Sequence, residues 1–91
     1  MAKQIMLIIH GRVQMVFFRD STRHQAKKLG LAGWVSNQED GTVKVVAEGE
    51  QENLEKLIKW CYNGPNIAKV DKIDIQWQKA TGQFEKFEIR Y

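Results

Sequence analysis

Cysteine and proline are almost absent: the 91 residues contain one of each. A single thiol, Cys61, excludes an internal disulfide and any CxxC metal or redox motif, which fits a reducing, cytoplasmic setting and leaves stability to the core. Long hydrophobic runs are lacking too. The N-terminal run Ile5 to Ile9 follows Lys3 and ends at His10-Gly11-Arg12. It is too short for a signal sequence and far short of the ~20 residues that span a bilayer, so no membrane association is expected. Histidine is scarce: His10 and His24 have no third ligand at a recognisable spacing, and neither a metal nor any other cofactor is expected. Nor does charge of one sign dominate. The 14 Lys plus Arg face 11 Asp plus Glu, a net +3 scattered along the chain, which mildly favours an anionic ligand and does not mark a nucleic-acid binder. What remains is an ordinary globular composition, 43% hydrophobic, without repeat, low-complexity tract or linker. The chain is shorter than the roughly 100–200 residues of a typical domain, so residues 1–91 read as one domain, expected as a monomer.

Hydrophobic periodicity gives the order of elements. Ile5 to Ile9 is a continuous apolar run, the pattern of a buried central strand. Residues Arg19 to Leu29 place Thr22, Ala26 and Leu29 at helical spacing, and Gly30 stops the helix. Gly33 to Asn37 and Thr42 to Glu48 read as two strands joined by a turn, with Asp40-Gly41 as a hairpin signal. Glu50 to Tyr62 carries Leu54, Leu57, Ile58 and Cys61 at i, i+3, i+4 and i+7, the clearest helix in the chain. Asn63-Gly64-Pro65-Asn66 breaks it. Val70 to Gln78 then alternates Ile73, Ile75 and Trp77 with polar residues, and Phe87, Ile89 and Tyr91 alternate in a further strand. Two strand-helix-strand units in tandem predict the α+β class and the ferredoxin-like split βαβ plan, an antiparallel sheet with both helices on one face.

That plan hosts many functions, so the site must decide. The segment from Gly11 to Arg19 links a buried strand to a helix and contains no acid. Such a loop aims backbone N–H groups towards the positive end of the helix, and Arg19 adds a planar fork suited to phosphate. A surface arginine at a helix entry is the plainer reading, and spacing alone does not choose between them. Asn37 ends a strand, where asparagine commonly serves as a turn former; its carboxamide also carries a donor and an acceptor that can hold a water and a phosphate oxygen together.

The residues themselves carry a resemblance. Gly11-Arg12-Val13-Gln14-Met15-Val16-Phe17-Phe18-Arg19 is similar to the acylphosphatase signature G-x-V-Q-G-V-x-F-R. Gly33-Trp34-Val35-Ser36-Asn37, with Gly41, Val43 and Gly49, resembles the second signature of the same family, G-[FYW]-[AVC]-x-N-x(3)-G-x-V-x(5)-G. Both stand in family order and separation, so the resemblance covers essentially the whole chain. It implies hydrolysis of acyl phosphates by direct attack of water, with inorganic phosphate as product and inhibitor. Arg19 and the backbone amides of Gln14, Met15, Val16, Phe17 and Phe18 would bind the phosphate, and Asn37 would orient the water. The ending Ile89-Arg90-Tyr91 also resembles the family's, where the terminal carboxylate can lie close to the catalytic arginine. Met15 departs from the usual glycine. Since the family sometimes has histidine there, the position reads as one of close approach, with the side chain outward over the mouth of the site, rather than one of obligatory positive φ.

Such chemistry suits the residues present. A carboxylate leaving group has a basicity near ~4, so its expulsion needs no proton donor. A loose phosphoryl-transfer transition state leaves mainly positioning and charge stabilisation to the protein. Two alternatives remain: an inactive relative of the same fold that binds anions, and an RNA-binding domain with the same element order. The latter would need aromatics on its central strands, and Gly41-Thr42-Val43-Lys44-Val45-Val46-Ala47 has none. Cys61, on the apolar stripe of the second helix, reads as an inert core thiol; Trp34 and Trp77 read as core or half-buried strand residues.

Overall fold

The structure, a computed structural model, describes residues 2–91. The elements are β1 (Ala2–Arg12), α1 (Phe18–Lys28), β2 (Ala32–Asn37), β3 (Val43–Glu50), α2 (Gln51–Asn63), β4 (Lys69–Lys79) and β5 (Phe87–Arg90). They form a single five-stranded sheet in the order β4-β1-β3-β2-β5. β1, β3, β4 and β2 pair antiparallel, the expected plan. The added strand does not follow it: β5 pairs parallel to β2, from Gly33 opposite Phe87 to Ser36 opposite Arg90. The segment between Lys79 and Phe87 carries the chain from β4 at one edge of the sheet to β5 at the other, and β5 runs in the direction of β2 as a result.

Both helices lie on one face. α2 packs on β1, β3 and β4, and α1 packs on β2, β5 and α2. The stripe Leu54, Leu57 and Cys61 of α2 is fully buried, as are Phe18, Thr22 and Ala26 of α1. Facing them are Ile5, Leu7 and Ile9 of β1, Val35 of β2, and Val43, Val45 and Ala47 of β3, every second residue of each strand. Phe18 ties the two helices together, its ring 5.7 Å from that of Trp60. β4 departs from expectation. Ile73 is buried, but Ile75 and Trp77 are substantially exposed, because β4 is an edge strand with a neighbouring strand on one side only.

The opposite face of the sheet is not simply polar. Val46 and Glu48 of β3 are nearly as buried as their core-facing neighbours. The Glu48 carboxylate accepts hydrogen bonds from Gln4 Nε2 (2.6 Å), Thr81 N (2.7 Å), Thr81 Oγ1 (2.8 Å) and Gly82 N (3.0 Å). It thereby holds the β4–β5 crossover against the sheet. Gln4 in turn accepts a hydrogen bond from Gln78. Burial pushes the Glu48 carboxyl up, but the bonds from Thr81, Gln4 and Gly82 outweigh it and hold the group below its ordinary value of 4.5.

Candidate active site

β1, β2 and β5 all run in the same direction, so their C-terminal ends lie together at one end of the sheet, where α1 begins. The site residues expected from sequence all fall there. Gly11 opens the loop after a bulge between His10 and Gly11. Its φ is +129°, and a Cβ would overlap the carbonyl oxygen of Lys69 in β4. Gly33, the first residue of the second motif, is constrained likewise: its φ is +144° and a Cβ would overlap the carbonyl of Val46. Both motif glycines therefore mark places where two backbones meet.

Between Gly11 and α1, the side chains of Val13, Val16 and Phe18 are buried and anchor the loop, while Met15 and Phe17 project into solvent. Met15 has φ +62° and Phe17 has φ +64°, both left-handed. Met15 thus corrects the reading from sequence in one respect: its side chain does point outward, but the backbone does adopt positive φ. Phe17 was not foreseen as left-handed, since an unspecified motif position gives no signal of its conformation. Left-handed residues on either side of an ordinary one turn successive N–H groups to the same side, the backbone arrangement of an anion-binding concavity. Phe17 is also the N-cap of α1, and no side chain caps that end. The first-turn N–H groups face the same opening, with the positive end of the helix behind them.

Arg19 follows in the first turn, half-buried, with its Cζ 5.0 Å from the centroid of the Tyr91 ring. The C-terminal residue does reach the arginine, but the contact observed is made by the aromatic face. Asn37 is the last residue of β2 and shares the helix-side face with Gly33 and Val35. Its Oδ1 is buried and has no hydrogen-bond partner. A buried, unpaired carboxamide oxygen costs on the order of 1–3 kcal/mol, so an asparagine kept as a mere turn former would be a poor choice here.

The two motifs are joined by Gln14. Its Nε2 donates to the carbonyls of Gln38 (2.8 Å) and Thr42 (2.9 Å), which close the β2–β3 turn. Within that turn Gln38 N donates to Thr42 O, and Asp40 accepts from Thr42 N and Thr42 Oγ1. The Thr42 hydroxyl and amide hold the Asp40 carboxyl below its ordinary range. The sequence marked Gln14 only for its backbone; the side-chain tie needs the three-dimensional approach of two loops 24 residues apart.

Other candidates lie outside this cluster. His10 pairs with Asp74 across β1 and β4, Nε2 to Oδ2 2.9 Å, and its hydrogen bond lowers the Asp74 pKa. His24 is exposed. Cys61 is buried, and loss of solvation pushes its thiol pKa far up, which suppresses the thiolate.

The acylphosphatase family model matches residues 5–89. The chain belongs to the acylphosphatase family. It is 46% identical over 85 residues to an acylphosphatase of Pelotomaculum thermopropionicum, covering 93% of this chain and 92% of that one. To an acylphosphatase of Thermococcus kodakarensis it is 46% identical over 83 residues, covering 91% and 90%. The crystal structure of acylphosphatase from Bacillus subtilis superposes with a TM-score of 0.95 at 36% identity, over 98% of this chain and 99% of that one. The acylphosphatase assignment thus rests on sequence and fold over nearly the whole chain. No helix is long and apolar enough to cross a membrane among the described residues.

Proposed function

We propose that this acylphosphatase hydrolyses its substrate by in-line attack of water on phosphorus, with the Gln14 to Phe18 loop and Arg19 holding the phosphoryl group and Asn37 holding the water. The water oxygen bonds to phosphorus as the phosphorus–oxygen bond to the acyl group breaks. The bonding pair leaves with the carboxylate, and both protons of the water end on inorganic phosphate. Charge balances: an acyl phosphate dianion and water give a carboxylate and dihydrogen phosphate.

The observation that carries this reading is the buried, unpaired Oδ1 of Asn37 at the same end of the sheet as Arg19. That oxygen can accept a hydrogen bond from the attacking water and so hold it in line with the phosphorus. Arg19, with the backbone N–H groups, meets the charge spread over the equatorial oxygens, and an arginine in this role accounts for roughly 10³ to 10⁵ in rate. Neither metal nor phosphoenzyme enters. The weakly basic leaving group needs no Lewis acid, and the loose transition state needs no strong base. The substrate is a small soluble acyl phosphate, and the setting is the cytoplasm.

Benzoyl phosphate hydrolysis in EDTA and in water labelled with heavy oxygen tests this. Full activity with the label in phosphate is expected. Label in benzoate, inhibition by EDTA or capture of a phosphorylated protein would contradict it. Binding of phosphate without turnover would instead favour the inactive anion-binding relative.

A further inference from the structure

On this reading of the site, we propose that Met15 and Phe17 form an apolar rim that receives the acyl chain, so that the enzyme favours acyl phosphates with extended apolar acyl groups. Two exposed large apolar side chains stand on one short loop, and a third, Tyr91, stacks on Arg19 in the helix that follows it. Met15 is 96% exposed, Phe17 75% and Tyr91 96%. Met15 and Phe17 flank the buried Val16, and Tyr91 lies over Arg19, which begins two residues after Phe17. Isolated exposed hydrophobics are ordinary; a pair on the short loop assigned to phosphate is not.

The backbone sharpens the point. Left-handed φ is readily taken by glycine or asparagine, whereas methionine and phenylalanine hold it only with strain. This chain therefore places two bulky apolar side chains where the backbone disfavours them and solvent gives them no packing in the free protein. Contact with a ligand is the interaction that uses them.

In-line geometry says which part of the ligand reaches them. The attacking and leaving oxygens lie on opposite sides of phosphorus. The water is assigned to the buried side, at Asn37 Oδ1, on the helix-side face of the sheet. The leaving carboxylate then departs outward, and its acyl group emerges at the solvent mouth where Met15 and Phe17 project.

Straight-chain acyl phosphates test this directly, because acetyl, butanoyl and hexanoyl phosphate have leaving groups of nearly equal basicity and differ in apolar length. The wild-type kcat/KM should rise by about twofold per added methylene, half the logarithmic gain of full burial, as suits an open rim. The Met15→Asn and Phe17→Asn variants keep a residue type that tolerates left-handed φ, and their dependence on chain length should flatten. A flat or falling wild-type series would overturn the rim, as would a slope unchanged in both variants. Hydrolysis of none of the three by the wild type would instead overturn the catalytic reading on which the rim rests.

Discussion

At the residue scale, the proposed mechanism leans most on Arg19. In that proposal Arg19 acts through charge and shape, so Arg19→Lys, which keeps the charge and loses the planar fork, should rescue little of the activity. A loss of roughly 10³-fold in kcat/KM on benzoyl phosphate is expected. A lysine variant within tenfold of wild type would reduce Arg19 to a point charge. The Tyr91 ring lies against this arginine and, on the same proposal, positions it. Tyr91→Phe preserves the ring and should stay near wild type, whereas Tyr91→Ala should lower kcat/KM by about fivefold, the scale of an exposed cation–π contact. Equal losses in both would shift the role to the phenol. Met15 belongs to stability as well as to specificity: with φ at +62°, Met15→Gly relieves about 1–2 kcal/mol of strain. It returns part of that gain through the greater freedom of the unfolded chain. A net stabilisation of about 0.5–1 kcal/mol by urea unfolding is expected; destabilisation would mean that the methionine makes a contact stronger than its strain.

At the scale of elements, the helices and core strands were legible because each carries one periodicity over enough residues. The stripe Leu54, Leu57 and Cys61 and the run Ile5 to Ile9 could hardly be placed otherwise. Three features were not. The alternation of Ile73, Ile75 and Trp77 signals a half-buried strand but is silent on whether that strand is an edge, which decides that Trp77 is exposed. The parallel pairing of β5 depends on the path of the crossover rather than on the four residues of the strand. The burial of Glu48 depends on Thr81 and Gly82, which approach from 33 and 34 residues away. In the candidate site, the glycines, Arg19 and Asn37 stand out in the sequence because motif spacing marks them. The left-handed Phe17 and the Gln14 side-chain tie arise from loop geometry that no local pattern encodes.

At the scale of the whole molecule, function and fastening sit at different places on the sheet. The loops of the proposed site gather where β1, β2 and β5 end, and Glu48 fastens the crossover near the end of β3. Glu48→Gln should therefore cost about 2 kcal/mol of stability, the scale of hydrogen bonds to a charged group, while kcat stays unchanged. The pH dependence follows from its lowered pKa. The stabilisation is complete above the ordinary value of 4.5 and is lost as pH falls through the lower folded value. Acid unfolding of the glutamine variant should lack that portion of the slope. Parallel slopes in the two proteins would show that the carboxylate is not what holds the crossover.

Asn37→Ala tests the division of labour between water and phosphate most directly. With kcat on benzoyl phosphate and the inhibition constant of inorganic phosphate measured on the same preparation, kcat should fall by roughly 10²-fold, the scale of losing a positioned polar group. The phosphate constant should move by less than about threefold, because Arg19 and the loop amides remain in place. A phosphate constant that weakens in step with kcat would make Asn37 a phosphate ligand, and a rate near wild type would return it to a turn former.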